Sequence, residues 1–256
     1  MKLIKPICRV LLIAAFWVAV WWIAAAAFGK PLLFPSPPAV FRALLELLKT
    51  ADFYKITAIS LWNVLSGILI AVICAVVLSA ATAHIPPIRA LLLPAMTVIK
   101  ATPVASFIIL AWILMGATQV PTFITILIVL PVMWSNLDTG FQKIDTQLAE
   151  VTTVYGFSVW KRIRLLLFPS LKPYFIAAFR TSVGLAWKAG IAAEIITMPR
   201  NTVGTMISEA KLYILTAEMF AWTLVVILLS LVIEALFSTL FKRLDRSGVT
   251  EQEVDA

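Results

Sequence analysis

The sequence predicts an all-α integral membrane protein with about six transmembrane helices. Its 256 residues are 62% hydrophobic and 13% charged, about half the charge of an ordinary soluble domain. The mean hydropathy is +1.00. Six segments also approach the roughly 20 apolar residues that a helix needs to cross a hydrocarbon core of about 30 Å. A single transmembrane domain over residues 1–256 follows, with a polar loop at about 139–172 as its main interruption.

The first segment, 10–28, carries no charge from Leu11 to Phe28 and follows a basic start, MKLIKPICRV. A signal-peptide core is usually shorter, although Ala24 to Ala27 could pass for a cleavage site, so an uncleaved first span is expected. The second span is 57–83. The third, 91–115, is interrupted by Pro94, Lys100 and Pro103. Its cytoplasmic third is expected to leave regular helix, which is tolerated only where protein or a wet cavity covers the freed backbone groups. The fourth, 121–137, is short and opens on a proline suited to a first helical turn. The fifth and sixth are 173–196 and 219–240. Two further segments look amphipathic. Residues 37–49 (PPAVFRALLELLK) set Val40, Leu44, Leu47 and Leu48 on one stripe, with Arg42, Glu46 and Lys49 turned away. They are expected to form an interfacial helix behind a Ser-Pro-Pro turn. Residues 201–215 are a weaker case.

Lysine and arginine set the direction, because short cytoplasmic loops are enriched in both. With the N-terminus inside, thirteen fall on cytoplasmic segments: Lys2, Lys5, Arg9, Arg89, Lys100, Lys143, Lys161, Arg162, Arg164, Lys172, Lys242, Arg243 and Arg246. Six fall outside: Lys30, Arg42, Lys49, Lys55, Arg200 and Lys211. Both termini and the 139–172 loop are therefore expected in the cytoplasm. A net charge of +8 in so apolar a chain marks basic flanks facing anionic membrane lipid, and no nucleic-acid partner is expected. Cys8 and Cys74 make neither a metal spacing nor a disulfide framework. The single histidine, His84, lies beside Pro86-Pro87 and reads as a turn residue. No phosphate-binding Gly-x-x-x-x-Gly-Lys-Ser/Thr loop occurs, so this device does not hold ATP here.

Ionisable residues inside a span are functional candidates by default. Arg180 lies about 10 Å and Glu234 about 9 Å from the inner surface, at 1.5 Å per residue, and the two are expected to pair. Lys188 lies about 22 Å from that surface by the same rise, between Gly184 and Gly190, with no acid at its depth. Lys100, Lys188 and Glu194 are the candidates for lining a translocation path, although Glu194, near the outer mouth, could simply be solvated. The nine tryptophans fall mostly near span ends, as interfacial anchors do.

Residues 150–169 (EVTTVYGFSVWKRIRLLLFP) are the most informative stretch. Two short helices, 148–155 and 160–168, are expected around Gly156, whose backbone freedom permits φ > 0 at a tight reversal. Val154, Tyr155 and Trp160, rimmed by Lys161, Arg162 and Arg164, suggest a docking surface. Glu150, then Gly156, then Phe168-Pro169 resemble the EAA loop of ABC-importer permeases, with Val151-Thr152 replacing the usual Ala-Ala. Other landmarks extend the resemblance along the chain. They are Phe34-Pro35-Ser36-Pro37, Ser60, Gly67, Leu93-Pro94, Lys100-Ala101-Thr102-Pro103 and Gly140. Ala178-Phe179-Arg180, Gly184, Trp187, Ala193-Glu194 and Gly204 follow. The chain resembles the nitrate/sulfonate/taurine branch of type I binding-protein-dependent importer permeases. Lys100 stands where arginine is common, and the Met198-Pro199-Arg200-Asn201 turn lacks the usual small-residue run.

The resemblance implies a permease subunit of a prokaryotic inner or plasma membrane, forming the path for a small anionic solute such as a sulfonate or nitrate. A pyrimidine- or thiamine-precursor-type solute is the alternative cargo. It implies no catalytic residue, cofactor or metal in this chain, ATP being bound by a separate ATPase docked on Glu150, Tyr155, Gly156, Trp160, Phe168 and Pro169. A solute-binding protein outside and a second permease copy, as a homodimer, complete the implied partners. A secondary transporter or channel would need no ATPase, and recognisable inverted halves are absent. An intramembrane enzyme would need a paired carboxylate, a His-Glu motif or a nucleophile–base pair, and no span carries one.

Overall fold

Apolar composition with few strand signals should give helices joined by short turns, and the structure, a computed structural model, agrees. It describes residues 4–249, with side-chain surroundings for residues 12–241. Lys2 and the side chains of Lys5, Cys8, Arg9, Lys242, Arg243 and Arg246 lie outside the described residues. The elements are α1 (Ile4–Phe28), α2 (Pro37–Leu48), α3 (Ala51–His84), α4 (Pro86–Ala101), α5 (Val104–Met115) and α6 (Val120–Gln142). After them come α7 (Thr146–Val154), α8 (Val159–Arg162), a π-helical stretch Ile163–Leu167, α9 (Phe168–Thr197), α10 (Val203–Leu212) and α11 (Thr216–Val249). Among the described residues there is no strand.

Each expected span is helical, but length and composition alone qualify only some of them to cross a bilayer. Helices α3, α6 and the Thr216–Phe241 part of α11 are long and apolar enough; α4 and α5, taken together, would make a fourth across a 104° bend. The described apolar part of α1 is Leu12–Phe28. Helix α9 has 30 residues, ample length, but it carries Lys172, Arg180, Lys188 and Glu194. Its place in the bundle is a matter of packing.

The third expected span differs most from its prediction. The cytoplasmic third of this span, expected to leave regular helix, is regular helix straight through Pro94, and the break falls instead at Thr102-Pro103. The ring of Pro103 disfavours helical backbone at the residue before it, and Thr102 is extended, with ψ 135°. Helix α3 starts earlier than expected because Thr50 caps it, its hydroxyl accepting from the Phe53 N–H at 3.3 Å. The amphipathic helix α2 buries Val40 and Leu44 as its stripe predicts and lies against α11. Helix α10 is shorter than 201–215: Asn201 and Ile214, with φ 57° and 58°, are left-handed and bound it on either side.

The core is built on α6, whose most extensive contacts are with α9 and α3. Thr125 of α6 sits between two glycines. A methyl group on Gly67 of α3 would stand 2.7 Å from Thr125 Cβ, and one on Gly190 of α9 would stand 3.1 Å from Thr125 Oγ1 and 2.6 Å from Val64 Cγ2. Small residues let helix backbones approach where lipid supplies no hydrophobic drive for association. Not all tryptophans anchor at span ends: Trp134, Trp187 and Trp222 are fully buried. The Trp187 indole donates to the Val226 carbonyl at 3.0 Å, joining α9 to α11, and Phe179 stacks edge-on with Phe237 and Phe241 along the same contact.

Gly67→Ala tests this junction. The added methyl overpacks a site with no slack, so the variant should lose about 1–3 kcal/mol of stability, measured as a lower melting temperature in detergent. An unchanged melting temperature would show that α3 and α6 can separate without cost.

Candidate functional site

The loop after α6 is shaped by caps. Asp145 opens α7, its carboxylate accepting from the Gln147 N–H at 2.8 Å. At the other end Gly156 has φ +60°. The Phe157 N–H reaches the Thr152 carbonyl at 2.9 Å, and the Gly156 N–H reaches the Thr153 carbonyl at 3.1 Å. These are the two bonds of a Schellman ending, which needs a left-handed residue at the Gly156 position. Ser158 then caps α8, accepting from the Lys161 N–H at 3.3 Å, while the Lys161 ammonium lies 4.1 Å from the Phe157 ring centroid. The chain therefore reverses tightly, as Gly156 predicts.

The second half of the loop is less separate than expected. Instead of a free helix over 160–168, α8 starts at Val159 and runs through Ile163–Leu167 directly into α9. Pro169 offers no N–H to the Leu165 carbonyl, which accounts for a wider π turn just before it. The surface so made is apolar and charged at once. Val154, Tyr155 and Trp160 are 83%, 75% and 72% exposed, and Val159 and Phe168 are exposed beside them. Glu150, Lys161, Arg162 and Arg164 are interspersed and exposed, as is Pro169. Lipid tails do not suit the charges and water does not suit the rings, whereas a protein partner suits both.

The charged residues in the helices fall into two groups. Glu194 is fully buried and accepts from Ser60 Oγ at 2.7 Å, Asn63 Nδ2 at 3.2 Å and the Gly204 N–H at 3.1 Å. Ser60 Oγ in turn accepts from the Val203 N–H at 2.9 Å. Asp138, also buried, accepts from Arg89 Nε at 3.1 and 3.0 Å, Thr82 Oγ1 at 3.2 Å and Gln142 Nε2 at 2.7 Å. The second group is exposed on helix faces. Arg180 and Lys188 make no hydrogen bond or ion pair among the described residues, and Glu234 receives only Ser230 Oγ at 3.4 Å. Lys100 lies between the groups, exposed but donating to Ser135 Oγ at 2.8 Å.

Residues 67–247 match the family described as binding-protein-dependent transport system inner membrane component. The chain belongs to this family. It is an ABC transporter permease, a transport subunit of the inner membrane and not an enzyme, and such permeases work with an ATPase and a binding protein. It is 24% identical to the taurine transport system permease protein TauC of Escherichia coli (strain K12), covering 90% of this chain and 86% of the relative. It is 23% identical to the putative aliphatic sulfonates transport permease protein SsuC of Bacillus subtilis (strain 168), covering 82% and 77%.

Within the permease, the loop residues Glu150, Tyr155, Gly156, Trp160, Phe168 and Pro169 come out on one exposed connection. Two other expectations are corrected. Arg180 and Glu234 do not pair: the Glu234 carboxylate lies against Gly184, where an added methyl would stand 3.0 Å from Oε1. Arg180 is one helical turn earlier in α9 and exposed. Similar depth was correct only to within that turn. Glu194 is neither solvated nor open to a path, because α10 folds back over it. Asp138, Ser60 and Asn63 were missed as hydrogen-bonding residues. Asp138 is the sole acid of α6, and the need of an intramembrane acid for a partner would have flagged it had the span not been ended at Leu137.

Glu194→Ala strands the Ser60, Asn63 and Gly204 donors, and each unsatisfied group costs about 1–3 kcal/mol. Glu194→Gln keeps an acceptor and should lose clearly less. Thermal unfolding of the two purified variants, compared with Lys188→Gln, checks this; equal melting temperatures for Glu194→Ala and wild type would rule out the buried hub.

Proposed function

We propose that this permease forms, as a homodimer, the membrane path of an ATP-driven importer for a small anionic solute such as a sulfonate or nitrate. Residues 1–256 act as one transmembrane domain. The loop at 139–172 and both termini face the cytoplasm, a direction supported by the thirteen-to-six distribution of lysine and arginine. ATP is bound by the partner ATPase, and this chain contributes no catalytic residue, cofactor or metal. A solute-binding protein delivers the cargo from outside. The observation that carries the reading is the mixed apolar and charged surface held by the Gly156 reversal. Closure of the ATPases moves this loop, and because α8 and α9 are one rod through the π turn, the motion passes into the span that carries Lys188.

Lys188 supports the anionic cargo. It sits with Thr181, Leu185 and Ile195 on the uncovered face of α9, and an intramembrane ammonium without a partner is costly unless water or another subunit meets it. Two copies facing one passage would make a positive zone for an anion. The relatives named for taurine and aliphatic sulfonates point the same way, since both solutes carry a sulfonate group. Lys100, at the end of α4, is a second candidate for the passage. Glu194 is withdrawn from it.

Two measurements test the reading. Gly156→Val places a β-branched residue at a left-handed position, so membrane insertion should persist while ATPase association or stimulated turnover is lost. Normal transport in that variant would remove the docking role of the loop. Lys188→Glu, with ATPase assembly verified, should lower uptake of a sulfonate by roughly tenfold or more, since two like charges at about 4 Å repel by about 4 kcal/mol at an effective dielectric constant of 20. Unimpaired sulfonate uptake by Lys188→Glu would exclude Lys188 from the passage.

A further inference from the structure

Helix α4 is attached to the bundle in an unusual way. Of its 16 residues only Met96 is buried, while Leu91, Leu93 and Val98 are exposed. Both of its ends are proline junctions. Ile85, with φ −127° and ψ 89°, breaks the chain between α3 and α4 ahead of Pro86-Pro87, and Thr102-Pro103 precedes the 104° bend into α5. Its hydrogen bonds to α6 are polar and terminal: Arg89 to Asp138 near the start and Lys100 to Ser135 near the finish. Met96 is buried in the core with Leu92 and Ile99 packed beside it, and the two polar contacts tie the ends of this arm to α6.

The first contact is the stronger. Arg89 Nε reaches both oxygens of Asp138, at 3.1 and 3.0 Å. The Asp138 side chain is 7% exposed and that of Arg89 39%. Thr82 of α3 and Gln142 of α6 complete the shell of the carboxylate. Removing the arginine therefore leaves a buried charge without its counter-charge, whereas the arginine itself can turn to water. Asp138 also stands one turn before the end of α6, which hands directly over to the Asp145 cap of α7. We propose that Arg89 and Asp138 are positioning residues of the transport cycle, clasping the hinged arm α4 to α6 so that movement of the following loop repositions the bent α4–α5 pair. Only the transport part of this statement rests on the coupling reading of the loop.

The test uses the full chain in nanodiscs, with Cys8 and Cys74 replaced by serine and spin labels at Val98→Cys and Thr139→Cys, both exposed positions. The unaltered clasp should give a narrow α4–α6 distance distribution. Asp138→Asn and Arg89→Gln should each widen or shift it, and Arg89→Lys, which keeps the charge, should restore most of the narrowness. In the assembled transporter Arg89→Gln should retain ATPase binding and basal hydrolysis but lose about tenfold in solute uptake, corresponding to about 1.4 kcal/mol of coupling. Arg89 is part-exposed, so Arg89→Gln carries the test even if Asp138→Asn does not fold. An unchanged distribution in Arg89→Gln would overturn the clasp. A widened distribution with full uptake would overturn its role in transport. If the wild-type chain transports nothing while its distance still responds to Arg89→Gln, the importer reading fails and the clasp stands.

Discussion

The close approach of three helices at Thr125 decides where everything else goes. Gly67 brings α3 onto α6 and Gly190 brings α9 onto both, with distances that leave no room for a methyl group. In lipid, where apolar burial does not drive helices together, such small-residue contacts supply the packing. The register of α9 against α3 follows from the same point. Gly190 meets Val64, and one turn onward in each antiparallel helix Glu194 meets Ser60. A helix with four charged side chains is thereby held in a bundle that its composition alone would not have claimed.

That register also sorts the charges. Glu194 and Asp138 lie at opposite ends of the α3–α6–α9 core, each enclosed by donors from neighbouring helices. An acid so enclosed specifies which helix faces which, and removing any donor is expensive. Arg180, Lys188 and Glu234 lie on faces the single chain does not cover. Their cost in a membrane is met only by water or a partner, and of the three only Lys188 is proposed for the passage.

Between the two kinds of charge runs a mechanical connection. One end of the loop is the last turn of α6, one turn from Asp138; the other is the π turn that merges into α9. The loop is thus tied at both ends to the helices that meet at Thr125. Under the proposed docking role, a partner pressing on Tyr155 and Trp160 would press on the core of the bundle through α6 and α9.

The sequence by itself determined what is local. Apolar runs announced the helices, the Pro37–Leu48 stripe announced its buried face, and the Glu150–Gly156–Pro169 spacing announced a reversal with a left-handed glycine, because each depends on neighbours a few residues away. Family membership was legible for the same reason, in spaced glycines and prolines. What only the tertiary structure decided was which side chains meet. Counting residues gives a depth along a helix axis but neither its rotation nor the register of its neighbour, so Arg180 and Glu234 were placed together one turn in error. Glu194 was read as exposed because nothing in its own segment reveals that Gly204 of α10 returns to cover it. Asp138 was passed over because its partners, Thr82 and Arg89, are about fifty residues away in sequence and come within reach only once α3 and α6 have closed on Gly67.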